Sequence, residues 1–247
     1  MLSVVIPAFN EADNLEPVVR ETLGALRQDP LTPTFELIVV NDGSTDGTAA
    51  VADRLAAAHA GVVVAVHHPV NRGFGAALKT GFAATRGRYV SLITADGEVA
   101  PDQVTGLLRD IGDAGMILGR RERNVTAYRE VVTFSMNILM WLLLGFVPKA
   151  AGIYVVRGDL VRRMALQSET GLVNLEIQLY CREWGFPIAW GVTHVRPRLS
   201  GESKVLNART MFRTFLEMAK LRLALRRRRS ARPGAREATR EATREGK

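Results

Sequence analysis

The first hundred residues alternate short apolar runs with longer stretches in which apolar residues recur at helical spacing. Four runs have the length and composition of buried β-strands: Leu2–Pro7, Phe35–Val40, Val62–Val66 and Val90–Ile93. Helices are predicted between them at about 14–27, 49–59 and 76–85, the first capped by Asp13 or Asn14. This alternation is typical of an α/β fold with a mostly parallel central sheet and helices on both faces.

Acidic turns follow three of these strands, each at the carboxyl end of its strand. Glu11 lies after the first strand, Asp42 after the second, and Asp96 and Glu98 after the fourth. The carboxyl ends of parallel strands meet at one edge of a sheet, where α/β proteins bind their ligands. We therefore expect these acids to converge at that edge, where they could bind a cation, a ribose or a base.

The stretch Thr94–Glu98 carries two carboxylates, Asp96 and Glu98, separated by a flexible glycine. Such a pair suits a hard cation, because Mg²⁺ and Mn²⁺ take oxygen ligands and Mg²⁺ commonly binds one or two carboxylates plus substrate phosphates. Taken alone, the pair is more often a surface turn with two solvated acids. The motifs before and after it favour the metal site.

The length of 247 residues suits one large domain or one domain with extensions. The net charge of +8 arises from residues 220–247, which hold 11 Lys and Arg and 3 Glu, so the rest of the chain is neutral. We therefore expect no nucleic-acid surface on the body, whereas the basic tail suits an anionic membrane surface. The one cysteine, Cys181, excludes an internal disulfide. No signal peptide is expected, because the chain begins on a strand pattern.

Four segments carry motifs that resemble those of family-2 glycosyltransferases. They are Val-Val-Ile-Pro-Ala-Phe-Asn-Glu at 4–11, Val-Val-Asn-Asp-Gly-Ser-Thr-Asp-Gly-Thr at 39–48, Asn-Arg-Gly-Phe-Gly-Ala-Ala-Leu at 71–78 and Ala-Asp-Gly-Glu at 95–98. The resemblance covers at least residues 2–120 and is expected to extend to about 205. It implies the GT-A fold of nucleotide-diphospho-sugar transferases.

The second half of the chain resembles polyprenyl-phosphate sugar synthases of the dolichol-phosphate mannose synthase type. The resemblance rests on Gly119-Arg120-Arg121, an uncharged apolar stretch at 131–147, and Arg-Leu-Ser-Gly-Glu-Ser-Lys at 198–204. It implies inverting transfer of a sugar from a GDP-mannose or UDP-glucose type of donor to a polyprenyl (dolichyl-type) phosphate. No general base is required, because a phosphate acceptor already carries a nucleophilic oxyanion. The base and the sugar stay open.

The resemblance also implies roles for individual residues. The nucleoside pocket would be lined by Pro7, Phe9, Glu11 and Asp42, and Thr94 and Ala95 would also bind substrate. Asp42 would accept a hydrogen bond from the base, since a carboxylate reads N–H donors. Asp96 and Glu98 would bind Mg²⁺ or Mn²⁺. Asp96, Arg198 and Lys204 would form the catalytic set, in which the side chains of Arg198 and Lys204 clamp phosphates. Arg120 and Arg129 would bind the acceptor phosphate.

The sequence departs from the family pattern at two places. The usual Asp-x-Asp-x-Gln begins here with Thr94 and ends with Glu98, and no acid precedes Gly152 where the family often has one. These departures favour one alternative, a catalytically silent GT-A protein that binds nucleotide as a scaffold. A transferase with a soluble or hydroxyl acceptor is a second alternative. Glu176 is predicted to be a structural helix residue, and His67 and His68 to be surface or turn residues.

Three segments are predicted along the chain. Residues 1–207 form the GT-A domain, in which 131–147 is first an interfacial, acceptor-binding helix, with a core helix and a membrane span as alternatives. Residues 208–229 form a basic amphipathic helix that either anchors the protein to an anionic membrane or packs on the domain. Residues 230–247 are a solvated, disordered tail. We expect a peripheral protein at the cytoplasmic face of the membrane, with no transmembrane span.

Overall fold

The computed structural model describes residues 1–121, 152–194, 196 and 217. All of these except Glu217 belong to a compact unit made of Met1–Thr126 and Pro148–Val205. Glu217 belongs to a second unit, Ala127–Val147 with Leu206–Lys247. The elements below are those of the first unit. The predicted segments 131–147, 208–229 and 230–247 lie outside the described residues, apart from Glu217, so the predicted domain division stays a prediction.

Seven strands and six helices make up the described part of the first unit. The strands are β1 Leu2–Ala8, β2 Phe35–Asp42, β3 Val63–His68, β4 Tyr89–Leu92, β5 Met116–Arg121, β6 Tyr154–Arg157 and β7 Ile188–Thr193. The helices are α1 Ala12–Gln28, α2 Thr48–Ala58, α3 Phe74–Ala84, α4 Pro101–Asp110, α5 Gly158–Val161 and α6 Val173–Glu183. The four strands and three helices expected in the first hundred residues are confirmed to within two residues at each end.

The strands form one sheet in the order β3-β2-β1-β4-β6-β5-β7. Strand β6 pairs antiparallel with both β4 and β5, whereas β1 pairs parallel with β2 and β4, β2 with β3, and β5 with β7. Six strands therefore run in one direction and β6 runs against them. The predicted α/β fold with a mostly parallel sheet is confirmed.

Each face of the sheet is covered by its own set of helices. On β1, Val4 and Ile6 pack in the core cluster that contains apolar residues of α1, α2 and α4, and Val5 packs in the cluster of α3, α5 and α6. This alternation follows from the two-residue period of a strand. It explains why β1, β2 and β4 appear in the sequence as short apolar runs, since both of their faces are buried.

The order of the strands reverses beside β1. From β1 the chain moves outward through β2 to β3, and then returns to place β4 on the other side of β1. In open α/β sheets, ligands bind at such a reversal, beyond the carboxyl ends of the strands. The turns that follow β1 and β4 therefore flank the expected binding crevice.

Candidate active site

The turn after β1 is held by side chains of the loop after β2. Three successive backbone N–H groups of the turn donate to these side chains. The N–H of Asn10 donates to Ser44 Oγ at 3.0 Å, that of Glu11 to Thr48 Oγ1 at 2.8 Å, and that of Ala12 to Asp46 Oδ2 at 3.2 Å. In return, Asn10 Oδ1 accepts from the N–H of Thr45 at 2.9 Å. Asn10 has a φ of 53°, a left-handed conformation that asparagine tolerates. These bonds fix the backbone on which Phe9 and Glu11 stand.

These contacts also decide where α1 begins. The N-cap is Glu11, so the prediction that Asp13 or Asn14 caps the helix is wrong. The N–H groups of Asn14 and Leu15 both donate to the carbonyl oxygen of Glu11, and Asn14 Nδ2 donates to Glu11 Oε2 at 2.8 Å. The local sequence suggested an Asx cap, but the preceding N–H groups are satisfied by side chains about 35 residues further along the chain.

Asp42 lies at the carboxyl end of β2 and is 3 % exposed. Its Oδ1 accepts from His68 Nδ1 at 2.6 Å and from the N–H of Arg72 at 3.0 Å, and its Oδ2 accepts from the N–H of Gly73 at 2.8 Å. A carboxylate offers about four acceptor positions. Described residues therefore occupy three of them, two on Oδ1 and one on Oδ2.

His68 is buried beside this carboxylate. Because Asp42 only accepts, His68 Nδ1 carries the proton of that bond, while Nε2 lies 2.9 Å from Thr80 Oγ1. His68 was predicted to be a surface or turn residue, and that prediction is wrong. The same prediction is correct for His67, which is exposed. His67 nevertheless bonds to Asn41 and Asp53. The sequence carried no signal for the His68–Asp42 contact, because the two residues are 26 positions apart.

Gly43 brings the loop after β2 against the segment that precedes α3. Its φ is +68°, and a Cβ atom placed on it would lie 2.2 Å from the backbone carbonyl carbon of Val70. Only a residue without a side chain allows this approach. The approach is what places the N–H groups of Arg72 and Gly73 against Asp42.

The acidic turn, Thr94–Glu98, follows β4. Thr94 Oγ1 donates to Asp96 Oδ1 at 2.6 Å, and the N–H of Glu98 donates to the same oxygen at 3.1 Å. The N–H of Gly97 donates to the Thr94 carbonyl at 3.3 Å, and the Gly97 φ of +73° suits glycine. Thr94, which replaces the usual first Asp, therefore orients the second Asp through its hydroxyl group.

The donor set of the acidic turn consists of carboxylate oxygens. Within the described residues, no group of three or more His, Cys, Asp or Glu side chains is placed to bind a metal by itself. Two carboxylates completed by substrate phosphates are nevertheless the usual Mg²⁺ arrangement, and an all-oxygen set fits Mg²⁺ or Mn²⁺ better than a soft metal. Asp96 and Glu98 thus fit the predicted cation, and their binding of it stays a prediction.

Arg196 holds the acidic turn through hydrogen bonds to its backbone, and this residue was not among the predicted site residues. Its backbone N–H donates to the Glu98 carbonyl at 3.1 Å and its Nε donates to the Gly97 carbonyl at 2.7 Å. Its terminal guanidinium nitrogens, Nη1 and Nη2, form a two-pronged ion pair with Glu21 on α1, with Nη1 2.8 Å from Glu21 Oε1. These partners are 98 to 175 positions away, so no local motif could have indicated them.

Three of the other predicted site residues lie in the described part of the chain, and three lie outside it. Pro7 is buried in β1, Ala95 is buried in the acidic turn, and Arg120 is exposed at the carboxyl end of β5, the same edge of the sheet. Arg129, Arg198 and Lys204 lie outside the described residues, as does the segment just before Gly152 where the family often has an acid. The roles of all these residues stay predictions.

Glu176 is buried in α6 and has a structural role in the described part of the chain. Its carboxylate accepts from the N–H of Gln167 at 3.0 Å and from the N–H of Ser168 at 2.9 Å. These bonds satisfy a buried charge with backbone donors of a neighbouring loop. The arrangement agrees with the structural interpretation of Glu176.

Comparison with known proteins decides the family. Residues 3–161 match the family model described as Glycosyl transferase family 2. The chain belongs to this family. Glycosyltransferase family 2 was the family indicated by the four sequence motifs, and the match extends across the turns that hold Asp42 and Asp96.

Two relatives in this family illustrate the range of similarity. The chain is 32% identical over 153 residues to a dolichyl-phosphate beta-glucosyltransferase of Trichomonas vaginalis, covering 58% of this chain and 47% of that protein. It is 36% identical over 153 residues to the polyprenol monophosphomannose synthase of Mycolicibacterium smegmatis, covering 58% of this chain and 55% of that protein. The chain thus spans about half the length of the curated relatives it matches.

A solved structure supports the architecture. The crystal structure of glucosyl-3-phosphoglycerate synthase from Mycobacterium tuberculosis, in complex with Mn²⁺, UDP and glucosyl-3-phosphoglycerate, superposes with a TM-score of 0.63 at 25% identity. The match covers 89% of this chain and 80% of that one. The chain therefore has the GT-A fold that the motifs implied.

A helix must be both long and apolar to cross a membrane. In the part of the chain that the structure describes, no helix is both long enough and apolar enough to span a bilayer.

Proposed function

We propose that this chain is an inverting glycosyltransferase that moves a sugar from a nucleotide-diphospho-sugar to a polyprenyl phosphate at a membrane surface. The observation that carries the proposal is the placement of Asp42 and the acidic turn at one sheet edge, on either side of the strand reversal at β1. A nucleoside pocket beside a cation site is the combination that binding a nucleotide diphosphate requires. The names of the relatives supply the acceptor class.

The hydrogen bonds of Asp42 favour a uracil base. Described residues fill both acceptor positions of Oδ1 and one of Oδ2, which leaves room for one more donor. Uracil presents a single N3–H between two carbonyl groups, whereas guanine presents N1–H and N2–H side by side and pairs best with two carboxylate oxygens. We therefore propose a UDP-sugar donor. The glucosyltransferase relatives favour glucose as the sugar.

The acidic turn would bind Mg²⁺ or Mn²⁺ together with the diphosphate of the donor. Asp96 Oδ1 accepts from Thr94 Oγ1 and from the N–H of Glu98, so the Asp96 carboxylate would meet the cation in a fixed orientation. When bound, the cation offsets the negative charge that develops on the departing UDP. The chain's own contribution is to orient Asp96 through Thr94 and to present Glu98 on the same turn.

Transfer to a phosphate needs no proton acceptor from the protein. The acceptor oxygen attacks the anomeric carbon from the face opposite UDP, which inverts that carbon, and the bond to UDP breaks. Arg120, exposed at the same sheet edge, would hold the acceptor phosphate with Arg129, since guanidinium groups bind phosphate in a two-pronged geometry. Arg198 and Lys204 would clamp the donor phosphates.

A soluble phosphorylated acceptor is a second candidate. The glucosyl-3-phosphoglycerate synthase from Mycobacterium tuberculosis covers more of this chain than the lipid-phosphate relatives do, at lower identity. The two acceptors share a phosphate but differ in size and in their need for a membrane. A direct comparison of polyprenyl phosphate and 3-phosphoglycerate as acceptors separates them.

Calorimetric titration of UDP and GDP, each with and without Mn²⁺, tests the donor site. We expect UDP to bind with a metal-dependent affinity and GDP to bind at least about tenfold more weakly, since the guanine amine would lack an acceptor. Asp96→Asn should remove the metal dependence while leaving metal-free UDP binding intact. Failure of the wild-type protein to bind either nucleotide would contradict the proposal. Metal-dependent binding without transfer of labelled glucose to any acceptor would favour the silent scaffold.

A further inference from the structure

Arg196 contacts the acidic turn at its backbone, not at its carboxylates. We propose that Arg196, held in place by Glu21, is a positioning residue that keeps the acidic turn in the conformation that binds the cation. The inference rests on the proposed function, since it concerns the same cation site. It assigns a role to two residues that lie in none of the four family motifs.

Two successive carbonyl groups of the turn are bound by the same residue. Arg196 Nε donates to the Gly97 carbonyl at 2.7 Å, and the Arg196 backbone N–H donates to the Glu98 carbonyl at 3.1 Å. Gly97 has a φ of +73° and the conformational freedom of a glycine, so the turn can adopt other conformations. Within the turn, the N–H groups of Gly97 and Glu98 are bonded to Thr94 and Asp96. The two bonds from Arg196 hold the carbonyl groups as well, and thereby help to fix the spacing of the side chains of Asp96 and Glu98.

Glu21 fixes the orientation of the Arg196 guanidinium group. Nη1 and Nη2 both face the Glu21 carboxylate on α1. Each described hydrogen bond of the Arg196 side chain therefore ends on Glu21 or on the Gly97 carbonyl. A guanidinium group free to turn would compete with the cation for Asp96 and Glu98, because it is itself a strong carboxylate ligand. Paired with Glu21, Arg196 can restrain the turn without occupying its acids.

The exposure of the ion pair indicates a role other than stability. The side chain of Arg196 is 35% exposed and that of Glu21 is 41% exposed. Exposed ion pairs contribute little to folding free energy, because water screens them and because ordering two long side chains costs entropy. Loss of this pair should therefore leave the fold intact and affect the turn that Arg196 contacts.

Glu21→Gln and Arg196→Lys test the inference, with Glu16→Gln as the matched control. Glu16 forms an exposed ion pair with Arg20 on the same helix and pairs with Arg54, and these described ion pairs do not involve the acidic turn. Lys keeps a positive charge at 196 but lacks the Nε donor and the two-pronged geometry. Each variant is titrated with Mn²⁺ in the presence of UDP, and with UDP alone, by calorimetry.

We expect Arg196→Lys to weaken Mn²⁺ binding by about 10-fold and Glu21→Gln by about 3-fold, as for partners that orient metal ligands. Glu16→Gln should match the wild type, and the metal-free UDP affinity and the thermal midpoint should be unchanged in all three. Wild-type Mn²⁺ affinity in both test variants, or equal weakening in Glu16→Gln, would overturn the inference and leave the proposed function standing. If the wild-type protein binds no Mn²⁺ with UDP, the proposed function fails and this inference fails with it.

Discussion

Strand β2 carries a buried carboxylate near each of its two ends, and the protein binds these two carboxylates differently. Glu36 lies near the amino end of the strand and Asp42 at its carboxyl end, with exposed fractions of 1% and 3%. Both are surrounded by hydrogen-bond donors, as burial of a charge demands. What differs is the source of the donors and the number of acceptor positions that they fill.

Glu36 has all of its acceptor capacity used by the protein. Its Oε1 accepts from Ser3 Oγ and from the N–H of Arg86, each at 2.6 Å, and its Oε2 accepts from Arg86 Nε at 2.9 Å and Nη2 at 2.8 Å. Burial by itself raises the pKa of Glu36, but the donors of Ser3 and Arg86 together hold that pKa below its ordinary value. With four donors, three of them from Arg86, the Glu36 carboxylate has no acceptor position left for a ligand.

Asp42 is held by a histidine and two backbone N–H groups, which fill three acceptor positions. No described Arg or Lys side chain pairs with it. Burial therefore does not distinguish Glu36 from an acid with the role proposed for Asp42. The acceptor capacity that remains does distinguish them, because an acid that binds a ligand must keep a position for the ligand's donor.

Exchanging each carboxylate for an amide is the strongest test of this contrast. Asp42→Asn replaces one of the two carboxylate oxygens with an N–H₂ group. With the remaining oxygen accepting from His68 and Arg72, the N–H₂ group would face the N–H of Gly73 and take the place of the acceptor proposed for the base. We expect UDP affinity to fall by about 30- to 100-fold in calorimetry. Glu36→Gln, the same chemical change on the same strand, should leave UDP affinity within about 2-fold. Equal losses in the two variants would show that the contrast is not about the ligand.

Glu36→Gln should instead lower stability. The loss is about 2 kcal/mol at pH 7, because two buried donors lose a charged acceptor while the exposed Arg86 turns to solvent. Since the folded-state pKa of Glu36 is lowered, its carboxylate stabilises the fold above the ordinary pKa of 4.5, and that contribution is lost as the pH falls toward the folded-state pKa. Urea unfolding should show the difference from wild type narrowing below about pH 4.5. A difference independent of pH would contradict the assignment.

His68→Phe removes one donor from Asp42 while keeping a planar ring of similar size. We expect a stability loss of about 1.5 kcal/mol and a weakening of UDP binding by about 5-fold, because the carboxylate loses a charge-assisted hydrogen bond and gains freedom to rotate. Urea unfolding and calorimetry on the same preparation measure both. A variant with lower stability but wild-type UDP affinity would assign His68 to folding alone.

Thr94→Val extends the comparison to Asp96, with the smallest expected effect. Valine keeps the shape of threonine but cannot donate to Asp96 Oδ1, so Asp96 becomes less well oriented. We expect Mn²⁺ affinity in the presence of UDP to fall by about 3-fold. Thr94→Ser retains the hydroxyl group and should behave as wild type. If serine and valine weaken binding equally, the methyl group and not the hydroxyl group is what Thr94 contributes.

The elements that the sequence predicted well are those whose burial can be read locally. Strands β1, β2 and β4 are buried on both faces, so each appears as a short apolar run, and the motifs around Asp42 and Asp96 lie at their carboxyl ends. The position of β6 could not be read in this way. It is antiparallel between β4 and β5, and its partners on β4 are about 65 residues away.

The contacts that complete the site were also beyond local inference. His68 reaches Asp42, and Arg196 reaches Gly97 and Glu21, only because the sheet brings together residues that are distant in sequence. The hydroxyl group of Thr94 is the exception. Its donation to Asp96 spans two residues, so the substitution of the usual Asp could have been interpreted as an orienting hydroxyl from the sequence.

The central place of β1 has a consequence for synthesis of the protein. Strand β1 pairs with β2 on one side and with β4 on the other, yet β4 begins at Tyr89. At about 5–20 residues per second, a ribosome needs roughly 4–16 s to pass from the end of β1 to the start of β4. During that interval an apolar strand has one open edge, which invites pairing with other nascent chains. Truncated products that end before Tyr89 keep this edge open permanently, so we expect them to aggregate rather than persist as soluble fragments.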